Sequence, residues 1–402
     1  MLSRMKFEIE DLVAEMLDQL PTSVWTSSTT TFFDPAIGGG QFVKEIERRL
    51  RAAGHTEQNI NKRVFGFEES DLHIRFAVNK HNLVGQYAKK PYDKFLELDD
   101  SMKFDVVIGN PPYQKEAEHG KKVNDNLWAP LTFKAWSLTK DNGHLAFITP
   151  DNWRTPTNDF RTEGKSILKE IIKPYNTIAI NMNEAERHFS VGSTISYFVV
   201  NKTINNSNIT NVTSLWGKSV IDLNALPTIP KDLSALGLSI FSKVMSASGK
   251  RWTFVQKQTK LNKSLSISEV KDATHTVQLF DSFGGKAIKF CDKEGEDHFS
   301  PKAMISYVGK YSVMVDNGDV TPAQHVHRQI IKSSEIDGAR TQLESKLYKF
   351  IIEGNRANQY IEKHIPNMMP QLDMSKKWTD EEIYKYFGLT QEEIEYIENE
   401  VN

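Results

Sequence analysis

Four consecutive residues, Asn110-Pro111-Pro112-Tyr113, stand directly behind the apolar run "FDVVIG". The Asn110 side-chain oxygen and the Pro111 carbonyl are two acceptors that can point outward from a strand end. The two prolines fix φ, so the loop is stiff before any ligand arrives. A planar NH2 group that gives both hydrogens to these acceptors is polarised, and its nitrogen lone pair becomes more available for attack. Tyr113 adds an aromatic face on which a planar base can stack. A proline-rich turn that merely ends a strand would present the same four residues, so the motif needs support from its neighbours.

Two other stretches provide candidates. "FFDPAIGGGQF" reads as a short strand running into a glycine turn, where Gly38 and Gly40 let the backbone approach a ligand closely. It lacks the Gly-Lys-Ser/Thr ending of a phosphate loop, which argues against ATP or GTP, and it lacks the full spacing of a dinucleotide fingerprint. "VFGFEES" places Glu68 at the end of a second strand, suited to accept from two ribose hydroxyls. Either stretch alone is as consistent with a tight turn or a surface acid.

The elements that must position these residues are legible as alternating signals. Ile9, Leu12, Val13, Met16, Leu17 and Leu20 recur at helical spacing, and "QFVKEIERRLRAAG" is a second amphipathic helix stopped by Gly54. "RVFGFE", "FDVVIGN", "HLAFITP", "TIAINM" and "TISYFVVN" are short β-rich runs, several of them continuously apolar. Such runs, separated by helices, predict a Rossmann-like α/β fold: a mostly parallel sheet with helices on both faces. After Lys202 the texture changes. "TINNSNITNVTS" reads as a linker, and the expected domains are 1–205 and 206–402, the second being α+β with short strands such as "YSVMV". The chain closes on two helices with capping boxes, Thr379 with Glu382 and Thr390 with Glu393.

Composition sets the outer bounds. The 402 residues carry a net charge of −2, 39% hydrophobic residues and a single cysteine, Cys291, which excludes an internal disulfide and a cysteine-based zinc cluster. No run approaches the length of a membrane span, and no secretory signal is visible, so a cytoplasmic protein without a structural metal is expected. The near-neutral average conceals a basic segment. Lys243, Lys250, Arg251, Lys257, Lys260 and Lys263 follow one another with no acid between them. A solvated basic loop is the plain reading; a phosphate-facing surface is the other.

"DPAIGGGQF", "GFE" and "FDVVIGNPPYQ", in that order, resemble the N6-adenine DNA methyltransferases of restriction–modification systems and phages. The order matches the gamma arrangement, in which a target-recognition domain follows the catalytic domain. The resemblance covers most of residues 1 to 203 and extends more weakly through "LESKLYKFIIEGNRANQYIEKHIPNMMPQLD". It implies S-adenosylmethionine as cofactor, double-stranded DNA as partner, a separate restriction endonuclease and a monomeric enzyme. It also assigns residues. Asn110 and Pro111 would hold the target amine, Pro112 would complete the catalytic motif, and Tyr113 would stack on the flipped adenine. Asp34 and the turn from Ala36 through Gly38 to Gly40 would lie along the methionine end of the cofactor, Pro35 and Phe42 would also be cofactor-binding, and Glu68 would take the ribose. Phe189 would sandwich the base from the other side.

The chain departs from the family pattern at three places. Ile37 and Gly39 stand where Cys and Ser or Asp are common. Lys94 occupies the usual position of the acid that binds the cofactor adenine, which leaves Asp93, one residue earlier, for that task. The Thr-Pro pair often found before the cofactor motif is absent. Turning an adenine out of a duplex costs roughly a few kcal/mol, so a DNA-gripping domain is expected. "KRWTFVQKQTKLNK" offers Trp252, Phe254, Gln256 and Gln258 among basic residues, with Lys257 and Lys260 for phosphates. An RNA adenine or a protein glutamine also presents a planar NH2, and the loop alone does not separate these substrates from DNA.

Overall fold

The computed structural model describes residues 2–113, 127–155, 164–182, 194–214, 217–256, 265–283, 288–295, 297–323, 325–356 and 360–401, without the side chains of residues 2–9 and 93. Two compact units divide it, Met1–Pro227 and Thr228–Asn402.

The first unit is built on a nine-stranded sheet. Its strands are β1 (Phe32–Asp34), β2 (Val64–Glu68), β3 (Gln86–Lys89), β4 (Phe104–Gly109), β5 (Thr139–Pro150), β6 (Tyr175–Asn181), β7 (Ile195–Ile204), β8 (Ile209–Ser214) and β9 (Gly217–Asp222). Their spatial order is β3-β2-β1-β4-β5-β7-β6-β8-β9. The first five in that order run parallel, and β7 and β9 run antiparallel to their neighbours. Among the described residues four longer helices accompany the sheet: α1 (Leu2–Asp18), α2 (Gln41–Ala52), α3 (Asp71–His81) and α4 (Trp128–Leu138).

The apolar runs become strands because both faces of the sheet are covered. Val106, Val107 and Ile108 of β4 are fully buried. Phe32 and Phe33 of β1 point to opposite faces. Phe32 stacks on Trp25 at 5.5 Å, and Phe33 stacks on Phe104 at 4.6 Å while meeting the edge of Phe67. Val43, Ile46 and Leu50 place one stripe of α2 in the same core as Leu12, Met16 and Leu17 of α1.

The expected linker is a strand. Ile209–Ser214 pairs with β6 on one side and β9 on the other, and the compact unit runs on to Pro227 rather than ending near residue 205. Its inward positions are Thr210, Val212 and Ser214, so the core-facing side carries little apolar signal. The Thr210 hydroxyl donates to the Thr177 carbonyl at 2.8 Å, which satisfies a polar group where a larger apolar one would announce itself.

The second unit holds a four-stranded sheet and a three-stranded sheet. The strands are β10 (Ile267–Ser268), β11 (Val277–Phe280), β12 (Ile288–Cys291), β13 (Lys302–Ser306), β14 (Val313–Asp316), β15 (Thr321–Pro322) and β16 (Val326–Ile330). They are arranged β10-β12-β11-β15 and β14-β13-β16. Among the described residues this unit has five longer helices in chain order: α5 (Ala235–Ser246), α6 (Ile336–Leu343), α7 (Lys346–Asn355), α8 (Asp380–Tyr386) and α9 (Gln391–Glu400). Both expected capping boxes form, on α8 and α9. Glu393 of α9 also accepts from Lys243 at 2.7 Å and from Ser239 at 2.6 Å, both on α5, so the terminal helix is tied into its unit. Among the described residues no helix is long and apolar enough to cross a membrane.

Candidate active site

The sheet's strand order reverses direction of growth at β1. From there β2 and β3 extend one way and β4 onward the other, so the crevice between the carboxyl ends of β1 and β4 is the topological switch point, where open α/β sheets bind ligands. Asp34 ends β1, and Gly109 ends β4 with Asn110 next in the chain.

The glycine turn is held from two sides. The Ile37 N–H donates to the Phe67 carbonyl at 2.9 Å, and the Gly38 N–H donates to Glu68 Oε2 at 3.0 Å. Gly40 has φ +84°, and a Cβ there would lie 2.9 Å from the Ala77 methyl of α3, so only glycine both adopts the conformation and admits the helix. His81, also on α3, donates its Nε2 proton to the Gly39 carbonyl at 3.1 Å. Burial and the nearby Lys80 lower the pKa of His81, which favours the neutral imidazole.

Glu68 is buried and well occupied. Beyond Gly38, its carboxylate accepts from the Ser70 N–H at 3.1 Å, and His73 Nδ1 lies 3.3 Å away. It braces the turn against β2 as well as standing at the strand end expected of a ribose ligand. Asp34 is 1% exposed. Its Oδ1 accepts from the Ala36 N–H at 2.9 Å, whereas Oδ2 is buried without a hydrogen-bond partner. Desolvation raises its pKa to about 7; the Ala36 hydrogen bond opposes the shift and the negative charge of Glu68 adds to it.

Gly109 joins the two strand ends. A Cβ at that position would sit 2.7 Å from Asp34 Oδ1, so the glycine is required by close approach. Pro111 is buried, while Asn110, Pro112 and Tyr113 are half-buried. The Tyr113 hydroxyl donates to Asn110 Oδ1 at 2.8 Å, and its ring packs against the core that contains Ile37 and Tyr197. Burial pushes the Tyr113 phenol above its ordinary value, so it remains a neutral donor. A carbonyl oxygen has two lone pairs, so Asn110 Oδ1 keeps one for a second donor.

The segment after β5 lies beside this loop in the sheet order. Asp151 accepts from the Thr194 hydroxyl and, at 2.9 Å, from Arg154 Nε; both members of the ion pair are buried. Trp153 Nε1 donates to Ser196 at 3.2 Å. Neither this brace nor His73 and His81 stand out in the sequence. Asp151 meets Thr194, Trp153 meets Ser196 and His81 meets Gly39 across more than 40 residues, separations that no local spacing reveals.

Several expected residues fall elsewhere. Phe42 is a buried core residue of α2, packed with Val43 and Ile46, so its position is accounted for by packing. Pro35 and Ala36 lie in the turn, with the Ala36 N–H engaged by Asp34. Asp93 lies on the short helix Tyr92–Leu96, and its side chain is outside those described. Phe189, Lys257, Lys260 and Gln258 lie outside the described residues. Trp252 and Phe254 correct the expectation of DNA-facing aromatics: each is 1% exposed, and they stack on one another at 5.2 Å. Arg251 is likewise structural, donating to the carbonyls of Met245, Ala247 and Met368.

Comparison with known proteins agrees with the motifs. Residues 23–177 match the model of the Eco57I restriction-modification methylase family, a span that takes in both the glycine turn and the Asn110–Tyr113 loop. The resemblance to restriction–modification methylases is thereby borne out. The Type II methyltransferase M.CvrRI of Paramecium bursaria Chlorella virus XZ-6E is 26% identical over 273 residues, covering 62% of this chain and 62% of the relative. The chain thus spans less than two thirds of that relative's length. Two solved structures share the fold. The Type IIL restriction-modification enzyme MmeI, in complex with DNA, has a TM-score of 0.50 and 12% identity, covering 91% of this chain and 65% of MmeI. A nuclease-deletion mutant of the Type ISP enzyme LlaGI, with a DNA substrate mimic, has a TM-score of 0.51 and 10% identity, covering 86% and 50%.

Proposed function

We propose that this chain is a DNA methyltransferase that moves the methyl group of S-adenosylmethionine to the N6 amine of an adenine turned out of the duplex. The observation that carries the reading is the Gly109–Asp34 contact, which brings the glycine turn and the Asn110 loop together at the switch point. The chain's residues fit a nucleoside methyl donor of this kind. Asp34 offers a buried oxygen with no partner, and the turn from Ala36 to Gly40 offers backbone unobstructed by side chains at three positions. Glu68 stands where ribose hydroxyls would be taken.

When bound, S-adenosylmethionine supplies a sulfonium methyl, an electrophile that needs no further activation. The protein's task is therefore to present the amine. Asn110 Oδ1 and the Pro111 carbonyl accept its two hydrogens, which draws the nitrogen lone pair out of conjugation with the ring. The prolines keep the two acceptors in place, and the Tyr113 hydroxyl fixes the Asn110 amide with its oxygen end inward. Both acceptors are neutral, so neither retains the amine's surplus proton, which passes to water.

Asn110→Ala removes one of the two acceptors while leaving the strand and both prolines. Methyl transfer to DNA should fall by about a hundredfold or more, as for the loss of a group that acts on developing charge, with little change in melting temperature. Mapping modified bases in a methylation-free host checks the substrate. N6-methyladenine in its genomic DNA supports the reading, and methylated RNA or protein in its place would move the same loop chemistry to another substrate.

A further inference from the structure

The second unit gathers a serine, a histidine and an aspartate at one sheet edge, none of them assigned a role above. Ser266, just before β10, has its Oγ 2.9 Å from His275 Nε2. His275 Nδ1 lies 3.0 and 2.9 Å from the two carboxylate oxygens of Asp272. Asp272 Oδ1 also accepts the N–H groups of Thr274 and His275, each at 2.7 Å. Hydrogen bonds from the His275 N–H and ring, then from the Thr274 N–H, hold the Asp272 pKa down to about 2. The ionised carboxylate takes the Nδ1 proton, which leaves the Nε2 lone pair of the neutral ring for the Ser266 hydroxyl. The Ser266 N–H donates to Asp292 Oδ1 at 2.9 Å and fixes the backbone that carries this hydroxyl. β10 is the outer strand of the four-stranded sheet. Ile267 is in register with Cys291, and the Asp292 N–H donates to the Ser266 carbonyl at 3.3 Å. In that register the Ile267 N–H points away from β12, toward the open edge. An outward N–H directly after a nucleophile is a donor for a developing oxyanion.

We propose that Ser266 and His275, positioned by Asp272, form a nucleophilic site that cleaves carboxylic esters, with water as the final acyl acceptor. Ser266 Oγ bonds to the ester carbonyl carbon as its proton passes to His275 Nε2, and the Ile267 N–H meets the oxyanion. The C–O bond to the alcohol then breaks, and the alcohol leaves with the proton that His275 returns. Water, deprotonated by His275, attacks the acyl-serine; the acid departs and Ser266 regains its proton. Ser266 is an exposed residue. The substrate class is therefore a small ester with a good leaving group, which needs little binding beyond the reacting atoms.

Labelling of the full chain with a fluorophosphonate, read by intact mass and peptide mapping, tests the nucleophile. The folded chain should gain an adduct on Ser266, and the urea-unfolded chain should not. Ser266→Ala should abolish that adduct. His275→Gln should slow its formation by about a hundredfold or more while keeping the melting temperature of the unaltered chain. With p-nitrophenyl acetate, a burst of p-nitrophenol should match acetylation of Ser266 and be followed by slower turnover. Asp272→Asn should lower kcat on this ester by about a hundredfold or more with KM unchanged, a split that a loss of folding would not produce. Absence of an adduct on Ser266 in the folded chain would overturn the proposal. So would labelling of Ser266 as fast in His275→Gln as in the unaltered chain, which would leave the three residues as a turn held for structure.

Discussion

Asp34 makes the stability of the ligand-free protein depend on pH. Its carboxyl titrates near 7 in the fold against an ordinary 3.8. The folded state therefore holds the proton more tightly than the unfolded chain does. Its stabilising contribution is complete below about pH 4 and is lost as pH rises through about 7. Asp34→Asn removes this loss. The ligand-free variant should be more stable than the unaltered chain at pH 8 by up to about 4 kcal/mol, since each tenfold difference in proton affinity between the folded and unfolded states corresponds to about 1.4 kcal/mol. At pH 4 it should be no more stable. Thermal melts at the two pH values read the difference directly. A gain of equal size at both would mean that packing, and not ionisation, had changed. The position thus illustrates how a site can be costly to its own fold until it is filled.

At the scale of elements, the glycine turn depends on α3 as much as on β1. Gly40→Ala forces a side chain into the left-handed region and against the Ala77 methyl. It should cost about 1–3 kcal/mol in stability and weaken cofactor binding beyond that. Denaturant unfolding and equilibrium binding on the same variant separate the two losses. How far the sequence reveals these elements depends on how each is stabilised. β1, β4 and β7 are legible because they are buried on both faces and read as continuous apolar runs. β8 is not, because its inward side chains are Thr210, Val212 and Ser214, whose hydroxyls are satisfied locally. The segment at Arg251 misleads for the opposite reason. Its basic neighbours suggest a surface, but Trp252 and Phe254 alternate inward along an extended stretch and stack in the core. Asp151 and Arg154 are three residues apart within one turn, but the bond from Thr194 to Asp151 depends on tertiary approach, which no spacing in the chain encodes.

For the whole molecule, the two compact units carry different parts of the proposed function. Asp34, Glu68, Asn110 and Tyr113 belong to Met1–Pro227, and the basic segment that follows Lys243 belongs to Thr228–Asn402. Within that segment Lys243 and Arg251 are engaged inside their unit, and Lys257 and Lys260 are two of the remaining cations and the ones expected at phosphates. Replacing both by alanine should weaken DNA binding and reduce the slope of log affinity against log salt by about two. S-adenosylmethionine affinity should not change. An unaltered salt slope would assign DNA binding to other residues.

The contact between Gly109 and Asp34 also bears on how such a protein can change over time. Because one strand end is seated directly on the other, no residue larger than glycine fits at 109 without displacing the acid proposed to meet the cofactor. A mutation that re-aims the Asn110 loop through this joint would disturb the turn at Asp34 in the same step. The chemistry is therefore locked against piecemeal revision at this position, whereas the second unit carries no such constraint from it. Divergence among proteins built this way should accumulate in what they grip before it touches what they do to it.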